Sequence, residues 1–410
     1  MTAPPKPVAI WLLTTVLAAE TAFVAMQARL DFPFLAPALL GAVVIQIRTR
    51  SRRLELLGVL ALACGLALLR FGRHWRLLWE HPAGFGLFLG LASLFFIGVA
   101  VLHSRPDELP KRIEAFAVAL GIPVFVIITA AVLPGTGYAF PVTFDRVLYA
   151  FDGSLGFQPS FILGRLLGHL KWLGALASVS YEQVPAAMVI LYASAMGVRE
   201  RRKPNVLLLF GVASLAGYLL YALVPAAGPR FLFPSCFPTS PPPLAGVPML
   251  PPPLGTDIPR NAMPSLHMTW AVLMFWNARR SGIWLRAGYG LYLFLTVLFT
   301  LGSGEHYLID LVVALPFALA VQAGFSVPVR DLPRSLGFWV GLLGTFTWLG
   351  FLRYAVSLWS GSLLLDWSLV VVTVAGSVAL EVQVYRRLRV WENNPLEAKC
   401  ERFEAASAPL

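Results

Sequence analysis

Apolar stretches of about 15 to 24 residues recur through most of the 410-residue chain, each close to the ~20 residues a helix needs to cross hydrocarbon. In lipid every backbone amide must find its partner inside the protein, which leaves helices or a closed barrel. These runs lack the alternation of barrel strands, so the expected fold is an all-α, polytopic transmembrane bundle of about twelve helices. The composition agrees: 58% of residues are hydrophobic and 13% charged, and the mean hydropathy is +0.72, which excludes an ordinary soluble core. The predicted spans are 8–27, 33–47, 54–69, 83–102, 113–134, 172–196, 205–225, 264–278, 283–302, 306–326, 335–353 and 362–384. The first resembles a secretory signal, with Lys6 ahead of it and Leu17-Ala18-Ala19 as a weak cleavage site. Its apolar stretch continues past Glu20 to Met26, which favours a retained helix.

Lysines and arginines in short loops set the orientation. Arg48, Arg50, Arg52 and Arg53 follow the second span, Arg105, Lys111 and Arg112 the fourth, and Arg199, Arg201, Arg202 and Lys203 the sixth. Arg279 and Arg280, then Arg330 and Arg334, then Arg386, Arg387 and Arg389 keep the same register, which puts both termini in the cytoplasm. Arg70, Arg73 and Arg76 break the pattern by falling on the outer side. The net charge of +11 is thus spread over topological loops, and a nucleic-acid partner is not expected. Cys64, Cys236 and Cys400 fall in a span, an outer loop and the tail, so no disulfide framework is expected. There is no Gly-x-x-x-x-Gly-Lys loop and no Cys-x-x-Cys pair, so nucleotide and zinc sites lose support.

Two loops lie on the outer face. The segment 227–263, with Pro241-Pro242-Pro243 and Pro251-Pro252-Pro253, reads as a fixed lid, because proline stiffens extended chain. Within 135–171, Phe161, Leu163, Leu166, Leu167 and Leu170 line one side of an interfacial helix, with Arg165, His169 and Lys171 elsewhere.

The chemistry resides at two points where ionisable groups open apolar runs. His306 and Asp310 are spaced to meet through an imidazole nitrogen and a carboxylate on one helical face. Such a contact fixes the tautomer and leaves the other nitrogen as nucleophile or base, with Asp310 as orienter. Pro264-Ser265-Leu266-His267 opens another run, with Asn261 as a cap and Pro264 in the first turn. Amides there, the Ser265 hydroxyl and a guanidinium from Arg260 or Arg230 are suited to a phosphoryl group, with no metal or cofactor required. Each has a plainer reading: a polar pair between helices, a structural histidine, arginines on lipid headgroups. Glu20, Tyr181, Glu182 and Asp366 raise the alternative of a transporter or lipid-binding protein, but they are scattered, which suits packing better. For Asp145, Arg146 and Asp152, ion pairs or caps are the expectation.

These residues resemble the type 2 phosphatidic acid phosphatase superfamily, with its Pro-Ser-Gly-His motif and a later His-x-x-x-Asp. Pro264, Ser265 and His267 match the former, Leu266 replacing the glycine, and His306 and Asp310 match the latter. The resemblance spans 113–326, which implies a six-helix catalytic core between accessory spans (1–112), two C-terminal spans (327–384) and a cytoplasmic tail (385–410). It further implies that His306 forms a phosphohistidine, that Asp310 orients it, and that His267 protonates the leaving oxygen and then activates the acceptor. Phe299-Thr300 stand where the family has Ser-Arg, and Leu223 where it has lysine if Arg230 is the first-motif arginine. Pro-Ser-Leu-His with His-Tyr-x-x-Asp is most similar to the inositol phosphorylceramide synthase branch, which implies transfer of a phosphoryl-headgroup unit from a phospholipid or polyprenyl phosphate donor to a hydroxyl acceptor. Plain lipid phosphate hydrolysis is the alternative. The expected setting is a bacterial inner membrane with the site facing the periplasm.

Overall fold

The computed structural model describes residues 14–16, 21, 33–49, 53–72, 83–196, 205–246, 254–325, 332–355 and 362–393, and the α- and other helices are the only regular elements among them. In chain order the α-helices are α1 (Leu35–Arg48), α2 (Arg53–Phe71), α3 (Ala83–Leu102), α4 (Leu109–Val132), α5 (Gly135–Ala139), α6 (Asp145–Ser154), α7 (Pro159–His169) and α8 (Lys171–Glu182). They continue as α9 (Val184–Ala195), α10 (Val206–Tyr221), α11 (Pro229–Leu232), α12 (Leu266–Asn277), α13 (Ile283–Gly302), α14 (Leu308–Phe325), α15 (Leu332–Gly350) and α16 (Leu363–Asn393). Among the described residues seven helices are long and apolar enough to cross a membrane, or eight if α8 and α9 form one span. The expected run 172–196 is thus two helices broken at Gln183, where Pro185 in the first turn of α9 withholds a backbone donor. Runs 33–47, 205–225 and 264–278 form helices of 14, 16 and 12 residues. The first expected span lies largely outside the described residues, as do Arg73, Arg76, Pro251-Pro252-Pro253 and the tail beyond 393.

The chain forms two compact units, 1–130 with 182–196, and 131–181 with 197–410. This division cuts across the expected 113–326 segment, for reasons visible in each unit. In the first, α1 packs on α3 and α9, and Arg48 donates to the carbonyls of Ala193 and Met196 at the end of α9 (3.2 and 3.3 Å).

In the second unit α14 is the central helix, buried over 78% of its span and packed by α10, α12, α15 and α16. Gly341 lets α15 approach so closely that a Cβ there would lie 2.6 Å from the Pro316 oxygen and the Ala320 nitrogen of α14. Asn277 of α12 donates to Gln322 of α14 at 2.9 Å, a buried amide pair that fixes the relative rotation of the two helices. The helix α7 does not present the leucine stripe expected of an interfacial helix. Phe161 and Gly164 are buried while Leu166 and Leu170 are exposed. At Gly164 the missing side chain admits Pro238 and Phe237, which a Cβ would meet at 2.6 and 3.0 Å, and then the Gly302 carbonyl of α13 at 3.1 Å, so the face around the glycine turns inward.

Candidate active site

His306 lies in the turn between α13 and α14, 2% exposed, not inside the helix as its spacing from Asp310 suggests. The contact survives because Asp310, in the first turn of α14, reaches back. Its Oδ2 accepts from the Tyr307 amide at 2.8 Å and lies 3.3 Å from His306 Nδ1, the geometry of a capping box. Nδ1 also lies 2.9 Å from the Ala262 carbonyl, an acceptor only, so Nδ1 carries the hydrogen and Nε2 the lone pair. The Ser265 hydroxyl stands 3.5 Å from Nε2. Burial lowers this imidazole to about 4, against the opposing effects of Glu305 and the Ala262 carbonyl.

Two aspartates of α6 brace this turn from below. Asp152 accepts from the amides of Leu308 (2.7 Å) and Ile309 (3.2 Å), satisfying the open N-terminus of α14 from another helix. Burial pushes its carboxyl up to about 8, with those two amides opposing. Two turns earlier, Asp145 accepts from the amides of Ala227 and Gly228 and from the Tyr307 hydroxyl (3.1 Å). Its carboxyl is also raised by burial, against Thr143 and the two amides. Ser160 of α7 donates to the His306 carbonyl at 2.7 Å.

The residues around Arg230 run alongside the His306 turn. Arg230 N donates to the Gly304 carbonyl at 2.9 Å, and its guanidinium pairs with Glu305 Oε1 at 3.1 Å. Gly228 has φ +109, and a Cβ there would collide with the Glu305 carbonyl, so only glycine permits the two strands of chain to lie so close.

Ser265, and not Asn261, is the N-cap of α12, accepting from the Met268 amide at 3.4 Å; Pro264 therefore precedes the helix. This places His267 at the second helical position, where its ring stacks on Tyr181 with centroids 3.8 Å apart. The Tyr181 hydroxyl is 2.8 Å from His267 Nδ1 and 3.4 Å from Glu305 Oε2. His306, Asp310, Ser265, His267 and Arg230 thus gather within one set of connected contacts.

Arg260 does not join them. It is 0% exposed, and its guanidinium donates to the carbonyls of Phe140, Leu254, Gly255 and Ile258. The side chain clasps the 254–260 loop, and no donor remains for a phosphate. Two further residues join the site's contacts: Glu305, for which the sequence carried no expectation, and Tyr181, which it suited to packing. The one available signal was a carboxylate adjoining His306 and a tyrosine within an apolar run. Among the described residues no group of three or more His, Cys, Asp or Glu is placed to hold a metal ion.

Residues 146–324 match the family model described as PAP2 superfamily. No curated protein and no solved structure matches the chain.

Proposed function

We propose that this integral-membrane, all-α protein of PAP2 type is a lipid phosphotransferase working through a phosphohistidine at His306. The observation that carries the proposal is the fixed tautomer of His306: with Nδ1 held by Ala262 and Asp310, Nε2 is the nucleophile and points toward Ser265. Nε2 attacks phosphorus and the bond to the leaving oxygen breaks, while His267 gives that oxygen a proton. An acceptor hydroxyl then loses its proton to His267 as its oxygen displaces the histidine nitrogen. Arg230, the Ser265 hydroxyl and first-turn amides of α12 hold the phosphoryl oxygens.

Charge balance favours a phosphodiester donor. Arg230 is partly offset by Glu305, Arg260 is committed elsewhere, and a site with so little net positive charge suits a monoanion better than a dianionic monoester. The resemblance to the inositol phosphorylceramide synthase branch points the same way, toward transfer of a phosphoryl-headgroup unit from a phospholipid donor to a hydroxyl acceptor; a polyprenyl phosphate, a monoester, fits this charge balance less well. We place the site on the periplasmic side of a bacterial inner membrane with both termini in the cytoplasm, as the loop arginines suggest.

The test is to give purified protein a labelled phospholipid with and without polyol or lipid-alcohol acceptors. Labelled acceptor is expected; free headgroup phosphate released regardless of acceptor would favour plain hydrolysis. His306→Ala should abolish turnover, and a fully active variant would end the covalent proposal.

A further inference from the structure

We propose that Tyr181 and Glu305 are positioning residues for His267, forming a relay in which Glu305 supports the imidazolium of His267 through the Tyr181 hydroxyl. The inference rests on the phosphohistidine reading and assigns that site a second, indirect carboxylate-histidine couple beside His306 and Asp310.

The number of hydrogens available fixes who donates to whom. A tyrosine hydroxyl has a single hydrogen. The Glu305 carboxylate is an acceptor only, and its Oε1 accepts from Arg230 at 3.1 Å. The Tyr181 hydrogen therefore goes to Glu305 Oε2 at 3.4 Å, and its oxygen must accept from His267 Nδ1 at 2.8 Å. Nδ1 keeps its hydrogen, and proton exchange with the substrate oxygen falls to Nε2. Stacking of the two rings, 3.8 Å apart and inclined by 19°, fixes the imidazole plane.

The arrangement answers an energetic need. A general acid must begin its step as an imidazolium, and a buried cation is costly unless negative charge lies nearby. Asp310 serves that purpose for His306 directly; Glu305 serves it for His267 across one hydroxyl. The proton balance closes without loss: only the Nε2 proton leaves in the first half-reaction and returns in the second. The Nδ1 hydrogen, the phenol hydrogen and the Glu305 charge stay in place throughout. Arg230 thereby acquires a second role beyond phosphate contact, since it aims the carboxylate.

Full-length protein in mixed micelles would be given two phosphodiesters with the same headgroup, one leaving as an alkyl alcohol and one as nitrophenolate. A nitrophenolate leaves without protonation, so its first-turnover burst does not need the general acid. Tyr181→Phe keeps the ring stack and Glu305→Gln keeps the side-chain shape. Each should lower kcat for the alkyl ester by about 10- to 100-fold with KM nearly constant, while the nitrophenolate burst changes by less than about threefold. A nitrophenolate burst slowed as much as the alkyl-ester kcat would reduce the pair to a packing role, and unchanged alkyl-ester kcat in both variants would remove the relay. His306→Ala run in parallel separates the two ideas. If it is silent on both esters, the phosphohistidine reading stands and the relay is judged on its own. If it is active, both fall together.

Discussion

At the scale of residues, the fixed neutral ring of His306 determines how the rate responds to acid. Because burial lowers this imidazole to about 4, kcat/KM for an activated phosphodiester should stay level from neutrality down to about pH 4 and decline below it, where an ordinary imidazole would lose rate from about 6.5. A break near pH 6 would show that the ring is not held neutral. For folding the same shift has its own sign. Between 6.5 and 4 the unfolded chain binds a proton here that the folded chain does not, so this group withdraws stability as pH falls through that window. Arg260 makes a second test. Replacing it with lysine leaves several buried carbonyls of the 254–260 loop unpartnered, which should cost on the order of 3 kcal/mol. Thermal melts should register the loss while KM for the lipid donor stays unchanged; a large rise in KM with an unaltered melt would return Arg260 to the phosphate. The residues legible in the sequence, His306, Asp310, His267, Ser265 and Arg230, are those whose polar character stands out against an apolar run or a local spacing. The partners of Tyr181 were not legible because its contacts to His267 and Glu305 join segments 86 and 124 positions apart. Arg260 misled because its partners are carbonyls of irregular chain, which no side-chain pattern reveals.

At the scale of elements, the long helices were readable because a helix in lipid satisfies its backbone locally and needs only an apolar surface. The short helices α5, α6 and α7 lack that signature and take their stability from what they touch. The helix α6 shows this most directly, since Asp152 caps α14 across the fold. Asp152→Ala should lower stability by about 1 to 2 kcal/mol through loss of that cap, whereas Asp152→Asn retains an oxygen acceptor and should lose less. A carboxyl raised from 3.8 to about 8 contributes stability that is complete below 3.8 and is lost as pH climbs to 8. The balance between wild type and Asp152→Asn should therefore move in favour of asparagine from pH 6 to pH 9, as melts in one detergent at both values would show. A balance that stays constant would mean the aspartate titrates normally.

At the scale of the whole molecule, many large apolar side chains face outward, among them Leu54 at 79%, Leu364 at 80% and Trp284 at 87% exposure. Water would penalise such surfaces; hydrocarbon and its interfaces accept them. The proposed topology puts the 227–263 loop on the periplasmic side, so a cysteine at Ser240, in a background carrying Cys236→Ser, should react with an impermeant maleimide added to spheroplasts with an intact inner membrane. Labelling only after the membrane is opened would invert the assignment. Finally, the two imidazoles draw on different moorings, His306 on Ala262 and Asp310, His267 on Tyr181. Loosening the second leaves the first upright. Charged with an activated ester, such a variant would stall with its cargo still covalently attached, and the mass of the stalled adduct would disclose which headgroup the protein accepts.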